Sequence, residues 1–291
     1  MEITRTLLPS SPRSKLLLRP PPLFHFHVSP SSSLTPDVLQ SQSSLPIASR
    51  SHFRKPLSAS DGSTSATKVA ADDASLEVKK KAMDVSPELK GTTIFLVGMK
   101  SSIKTSLGNF LANVLRYYYF DSDHLVEEAA GTLSATKSLR ETDKSGFQES
   151  ETEVLKQLSS MGRLVVCAGD GATQSSTNLA LLRHGITIWI DVPLDIVARG
   201  MVGDQSQLFA YNLSTSASYP EVLTRLSTSY EELRVGYAIA DATVSVQQVA
   251  GKLGYDEIDD VTTEDMALEV LKEVEKLTRV KKMMEAAARP F

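Results

Sequence analysis

The chain has 291 residues, 41% of them hydrophobic and 23% charged, enough to bury one sizeable core without requiring two. Its net charge is −4, but residues 1–60 hold seven basic and two acidic side chains, which leaves the remainder at −9. An acidic body with no basic stripe lacks the phosphate contacts that nucleic-acid binding depends on, so that class is set aside.

The most apolar β-type runs, residues 94–97 and 186–190, fall far short of the roughly 18 residues needed to cross a bilayer, and no transmembrane segment is expected. A single cysteine, Cys167, excludes an internal disulfide framework and reads as a small buried residue. The scattered histidines offer no zinc spacing, so no metal is expected.

Residues 1–60 are rich in Ser and Pro, and their short apolar run at 16–18 is broken at once by Arg19 and three prolines. A secretory signal needs an unbroken apolar core; this composition is that of a transit peptide, and it favours the chloroplast. Residues 61–90 mix Ser, Ala, Lys and Asp without a sustained apolar face. Residues 75–83 suffice for a charged helical turn or two, and the segment reads as linker, with order expected from Gly91.

From there the pattern alternates. Strands are predicted at 93–97, 117–121, 164–168, 186–192 and 242–246, with helices at 105–115, 147–161, 175–184 and 221–240. Such alternation predicts parallel strands joined by right-handed crossovers in a three-layer α/β sandwich, here over residues 91–255. Residues 256–291 begin acidic and then show an apolar stripe at Met266, Leu268, Val270, Leu271, Val274 and Leu277, followed by a basic cluster at 279–282. A terminal helix with one packed face is expected, seated on the sheet domain or offered to a partner.

Gly98-Met99-Lys100-Ser101-Ser102-Ile103-Lys104-Thr105 follows a strand and opens a helix, where a G-x-x-x-x-G-K-[ST] loop cradles phosphates. Gly98, Lys104 and Thr105 fit, but Ile103 stands at the second glycine. A β-branched residue forced into left-handed backbone costs about 1–2 kcal/mol, and its side chain is expected to intrude on the anion space.

With these residues in view the chain resembles the shikimate kinase family over residues 91–254. The run Phe120-Asp121-Ser122-Asp123 resembles the family's paired aspartates, the first near metal and nucleotide, the second on the substrate hydroxyls. Phe147-Gln148-Glu149-Ser150-Glu151 resembles F-R-x-x-E with Gln148 in place of a carboxylate-gripping arginine. Cys167-Ala168-Gly169-Asp170-Gly171 resembles the triple-glycine turn against the substrate, with Asp170 replacing the middle glycine. Residues 202–209 resemble the mobile lid, with Gln207 where an arginine meets the transferring phosphoryl group. Leu233 stands where a second carboxylate-binding arginine is expected, and Arg234, one residue on, points elsewhere on a helix.

The resemblance implies a P-loop kinase-like sandwich with a parallel five-stranded sheet. It makes Gly98, Lys104 and Thr105 a vestigial nucleotide site and Asp121, Asp123, Glu151, Gly169 and Gly171 vestigial substrate positions. Ile103, Gln148, Asp170, Gln207 and Leu233 are the degraded ones. Phosphoryl transfer is mainly positioning and charge neutralisation, and one missing preorganised donor costs about 10²–10³ in rate.

The chain therefore reads as an inactive pseudo-kinase of the plant shikimate-kinase-like branch, which resemblance associates with chloroplast biogenesis. It is expected to serve in the plastid stroma as a binding or scaffold module for a protein partner. No cofactor is expected beyond residual Mg-ATP binding. The alternative is an active phosphotransferase for a substrate other than shikimate, or a nucleotide-sensing module, using Lys104, Thr105, Asp121 and Asp123.

Overall fold

The computed structural model describes residues 63–130, 144–202, 208, 211, 213–214 and 217–288. The expected transit segment and most of the lid lie outside the described residues. Five strands, β1 (Ile94–Val97), β2 (Tyr118–Asp121), β3 (Leu164–Cys167), β4 (Ile186–Asp191) and β5 (Ala242–Ser245), form one parallel sheet in the order β2-β3-β1-β4-β5. Strands β1 and β3 are buried along their whole length, which is why they read as unbroken apolar runs. Leu96 of β1 pairs with Cys167 on one side and Ile188 on the other.

Successive strands are laid first on one side of β1 and then on the other. The order therefore reverses beside β1, and the crevice at the carboxyl ends of β1 and β3 is the place such a sheet offers to a ligand.

The described helices are α1 (Ser63–Leu89), α2 (Ser102–Leu115), α3 (Ser122–Ala130), α4 (Lys144–Ser160), α5 (Ser176–Leu182), α6 (Leu194–Met201), α7 (Tyr219–Tyr237), α8 (Val246–Leu253) and α9 (Thr263–Ala287); α2 to α7 lie in the crossovers between strands, while α1 precedes the first strand and α8 and α9 follow the last. Local chemistry sets several of their ends. Ser101 caps α2, Ser218 and Thr262 form capping boxes with Glu221 and Asp265, and Gly254 closes α8 in left-handed backbone. The short helices α3, α6 and α8 have no counterpart among the predicted elements, although each of α6 and α8 has a clear apolar face; at eight or nine residues they are shorter than the roughly 11–18 residues over which a helical period is read.

The linker reading of residues 61–90 is overturned, because order begins well before Gly91. Helix α1 buries Val78, Ala82, Val85 and Leu89, a helical stripe diluted by the charged residues between them. The stripe packs on α9, which buries Met266, Ala267, Val270, Leu271 and Val274. Lys81 pairs with Glu275 at 2.5 Å and Lys282 with Glu88 at 3.0 Å, so the two helices run parallel. Helix α9 also lies on α2 and β5, so the terminal helix does pack on the sheet domain.

This pairing makes α1 and α9 structural parts of the domain. Leu271→Ala, which opens a cavity at a fully buried position, is expected to lower unfolding free energy by about 2–5 kcal/mol, read as a drop in the urea midpoint.

Candidate functional site

The crevice is assembled from the turns that leave β1 and β3. Gly98 leaves β1 with φ of 127°, and a Cβ there would lie 2.3 Å from the Ile190 carbonyl oxygen, so only glycine fits. Lys104 follows in the first turn of α2 and is 4% exposed. Its Nζ donates to the carbonyl oxygens of Gly98 at 2.6 Å and Ala168 at 3.0 Å, tying the exits of β1 and β3 together. Its backbone N–H donates to Ser101 Oγ at 3.3 Å. Thr105 Oγ1 donates to the Ser101 carbonyl at 3.3 Å.

The strain expected at Ile103 is absent. Ile103 belongs to α2, and the positive-φ non-glycine positions among the described residues are Lys90, Arg116 and Arg163. Its side chain packs on the apolar core and lines a recess of about 180 Å³ with Ile196, Val246, Ile258 and Met266. The expected intrusion on the anion space gives way to contact with apolar neighbours, which is the lower-energy place for a branched aliphatic side chain.

At the exit of β3, two glycines make room for two carboxylates. A Cβ on Gly169 would stand 1.8 Å from Asp123 Oδ1, and one on Gly171 would stand 2.1 Å from the Glu151 carboxylate oxygens. Asp123 is buried and lies 3.7 Å from Lys100 Nζ. Ser122 Oγ accepts the Gly169 N–H at 2.9 Å, which pins the turn to α3. Asp121 has a different role: its Oδ1 accepts the His124 N–H at 3.2 Å, capping α3.

Asp170, between the two glycines, is held by two phenols. Tyr211 Oη donates to Oδ2 and Tyr237 Oη to Oδ1, each at 2.9 Å. Burial pushes the Asp170 carboxyl above its ordinary value; the nearby Lys104 ammonium opposes that, the Asp123 carboxylate adds to it, and the two phenol hydrogen bonds oppose it again. Burial and the Asp170 charge push both phenols up, so they remain donors. Tyr237 is fully buried, stacked obliquely on Trp189 at 5.9 Å and in contact with Met99 Sδ at 3.8 Å. Cys167 is buried, as expected; burial pushes its thiol up to about 11, so it stays protonated and donates to the Lys104 carbonyl.

The structure thus brings together Gly98, Lys104, Asp123, Gly169 and Asp170, with Glu151 and Gly171 adjoining. Gln148 is exposed on α4, and Leu233 is buried in α7 while its neighbour Arg234 faces solvent beside Glu231. Gln207 lies outside the described residues. Sequence reasoning passed over Ser101, Lys100 and Ser122, and it did not see that Tyr211 and Tyr237 serve Asp170. One signal was available: an acid placed in an apolar turn must find donors, and tyrosines follow at 211 and 237. Among the described residues no group of three or more His, Cys, Asp or Glu side chains could hold a metal ion.

The family model for shikimate kinase matches residues 100–255, more than half of the chain. The chain belongs to the shikimate kinase family. It is 54% identical over 89% of its length, and 90% of the relative's, to "Probable inactive shikimate kinase like 1, chloroplastic" of Arabidopsis thaliana. It is 40% identical over 75% of its length, and 76% of the relative's, to "Shikimate kinase 3, chloroplastic" of Oryza sativa subsp. japonica. A solved shikimate kinase from Acinetobacter baumannii, in complex with shikimate, shares the fold at 24% identity with a TM-score of 0.53; the match covers 66% of this chain and 97% of that one. Helix α1 and all of α9 lie outside the stretch matched by the shikimate kinase family model.

The raised Asp170 carboxyl fixes the sign of a pH effect. Its contribution to stability is complete below the ordinary value of 3.8 and is lost as pH rises through the raised folded value. Asp170→Asn is expected to remove that part of the pH dependence of the urea midpoint. Tyr237→Phe, which deletes one donor, is expected to raise the carboxyl further. Carbon-13 NMR titration of the Asp170 side chain measures both, and titration at or below 3.8 would refute the assignment.

Proposed function

We propose that this chain is a plastid-located, non-catalytic member of the shikimate kinase family, acting in the stroma as a binding or scaffold module. The observation that carries the reading is Asp170. A desolvated carboxyl, held by Tyr211 and Tyr237, stands in the turn where the family resemblance places glycine against the substrate. It sets a third carboxyl side chain beside Asp123 and Glu151, where the family resemblance places glycine, and supplies no cation to an anionic substrate.

The phosphate loop supports the same conclusion. Mg-ATP is the group the family implies, and the loop residues present suit it poorly. The Lys104 N–H is taken by Ser101 Oγ, and its ammonium by two backbone carbonyls. A phosphate would compete with these bonds, since two of the three ammonium donors and the backbone N–H are already engaged. Gln148, Gln207 and Leu233 provide no cation at positions where resemblance places arginine. No catalytic step is therefore derived through the nucleotide, and residual Mg-ATP binding is the most the loop is proposed to retain.

Plastid location and inactivity are both supported by the name of the Arabidopsis relative, and location also by that of the rice relative. The composition of residues 1–60 supports import. We propose, on resemblance, that the role lies in chloroplast biogenesis. One observation favours a second reading, a phosphotransferase for a less acidic substrate or a nucleotide-sensing module: Lys104 and Asp123 remain buried at the same crevice, with Lys100 close by.

Shikimate-dependent ADP release by the purified full chain is expected to fall at least about 10²–10³ below that of an active shikimate kinase assayed beside it. Turnover near that control would overturn the non-catalytic reading. Calorimetric titration of Mg-ATP into the same sample separates the alternatives, since binding as tight as that of the active control, without shikimate turnover, would favour the second reading, whereas weak or no binding accords with the first.

A further inference from the structure

The amino ends of β2, β3 and β1 lie side by side at the end of the sheet opposite the crevice, and each strand is entered past a cation. Lys90 follows α1 on the way to β1, Arg116 caps α2 just before β2, and Arg163 lies between α4 and β3. Backbone bonds stitch the three turns together: the Arg163 N–H donates to the Gly91 carbonyl at 2.8 Å, and the Tyr118 N–H to the Arg163 carbonyl at 2.9 Å. The stem of Arg163 lies over Gly91, where a Cβ would stand 3.4 Å from its Cγ.

Lys90, Arg116 and Arg163, with φ of 50°, 57° and 59°, are the positive-φ non-glycine positions among the described residues. Glycine is the usual occupant of left-handed backbone at a helix end, because a Cβ is crowded there, yet each of these turns keeps a long cation. The helix macrodipole favours a cation at any one helix end. It does not account for all three lining a single cavity of about 420 Å³ whose other lining residues are neutral. No described carboxylate forms an ion pair with any of the three. The adjoining groove, of about 370 Å³, shares Lys90 but sets Glu88, Asp241 and Glu285 among its cations, so the unopposed charge belongs to the first cavity.

Two guanidinium forks and an ammonium around one recess suit a multiply charged oxyanion, and phosphate oxygens accept from both kinds of donor. The volume is that of a small-molecule pocket. An anion inside it lies within about a Debye length, roughly 8 Å, of the three cations and is largely screened from the rest of a body that carries −9 beyond residue 60. A bilayer surface would face that body more broadly and could not enter the recess.

We propose that Lys90, Arg116 and Arg163 form a binding site for a small phosphorylated molecule. The site is at the far end of the sheet from the crevice and is independent of whether the crevice turns over.

The full chain, titrated calorimetrically with inorganic pyrophosphate as the probe at low ionic strength and without magnesium, is expected to bind one equivalent saturably. R116G/R163G is expected to weaken binding at least about tenfold. The same variant should keep or raise the urea midpoint, since glycine relieves the left-handed backbone at both positions. R116Q/R163Q, which keeps side-chain bulk and removes the charge, is expected to lose as much affinity. Absence of saturable binding overturns the proposal. So does binding that either variant retains, which would place the pyrophosphate in the crevice or on the basic residues 1–60. Equal displacement by sulfate would mark an unselective anion patch and overturn it too, as would sedimentation with phosphatidylglycerol vesicles that the variants abolish.

Discussion

The crevice depends on one buried ammonium. Lys104 carries its charge into a nearly waterless place, and such a charge is tolerated only when its donors are used. Two of its bonds go to the carbonyls that end β1 and begin the turn after β3, so the lysine holds the mouth of the sheet at its switch point. The surrounding groups follow from that choice. The Asp123 and Asp170 carboxyls gather in the region that holds this cation, and the glycines at 169 and 171 let Asp123 and Glu151 approach the turn. A residue type suited to gripping phosphate here serves as a cross-tie between strand ends.

The sheet was legible in the sequence, and the reasons are local. Buried parallel strands such as 94–97 and 164–167 announce themselves as short β-branched and apolar runs, and the long helices by their period. The phosphate loop was legible in position but not in conformation. Ile103 looked strained because a motif template assigns a backbone angle to the place, whereas here the helix has already begun at Ser102 and the residue has a helical angle. The lesson is that a substituted motif position says which residue is missing, not what the chain does instead.

What could not be read locally involves partners far apart along the chain. Asp170 finds its donors 41 and 67 residues away; the apolar turn around it says that donors are needed, not which residues supply them. Helix α1 was hidden for the same reason, since Val78, Ala82, Val85 and Leu89 look incidental until α9 is laid against them. Resemblance to the shikimate kinase family could not supply this element, because the matched stretch begins after it.

The α1–α9 pairing also orders events in time. Lys81 and Glu275 are 194 residues apart, so the apolar stripe of α1 emerges early and has nothing to cover it until the last helix exists. Closing so long a loop carries an entropic cost that only late, cooperative docking repays. Were the chain threaded through a translocation pore from its N-terminus, α1 would arrive first and remain uncovered until α9 followed. Throughout that interval it would be a natural substrate for chaperones that hold exposed apolar helices.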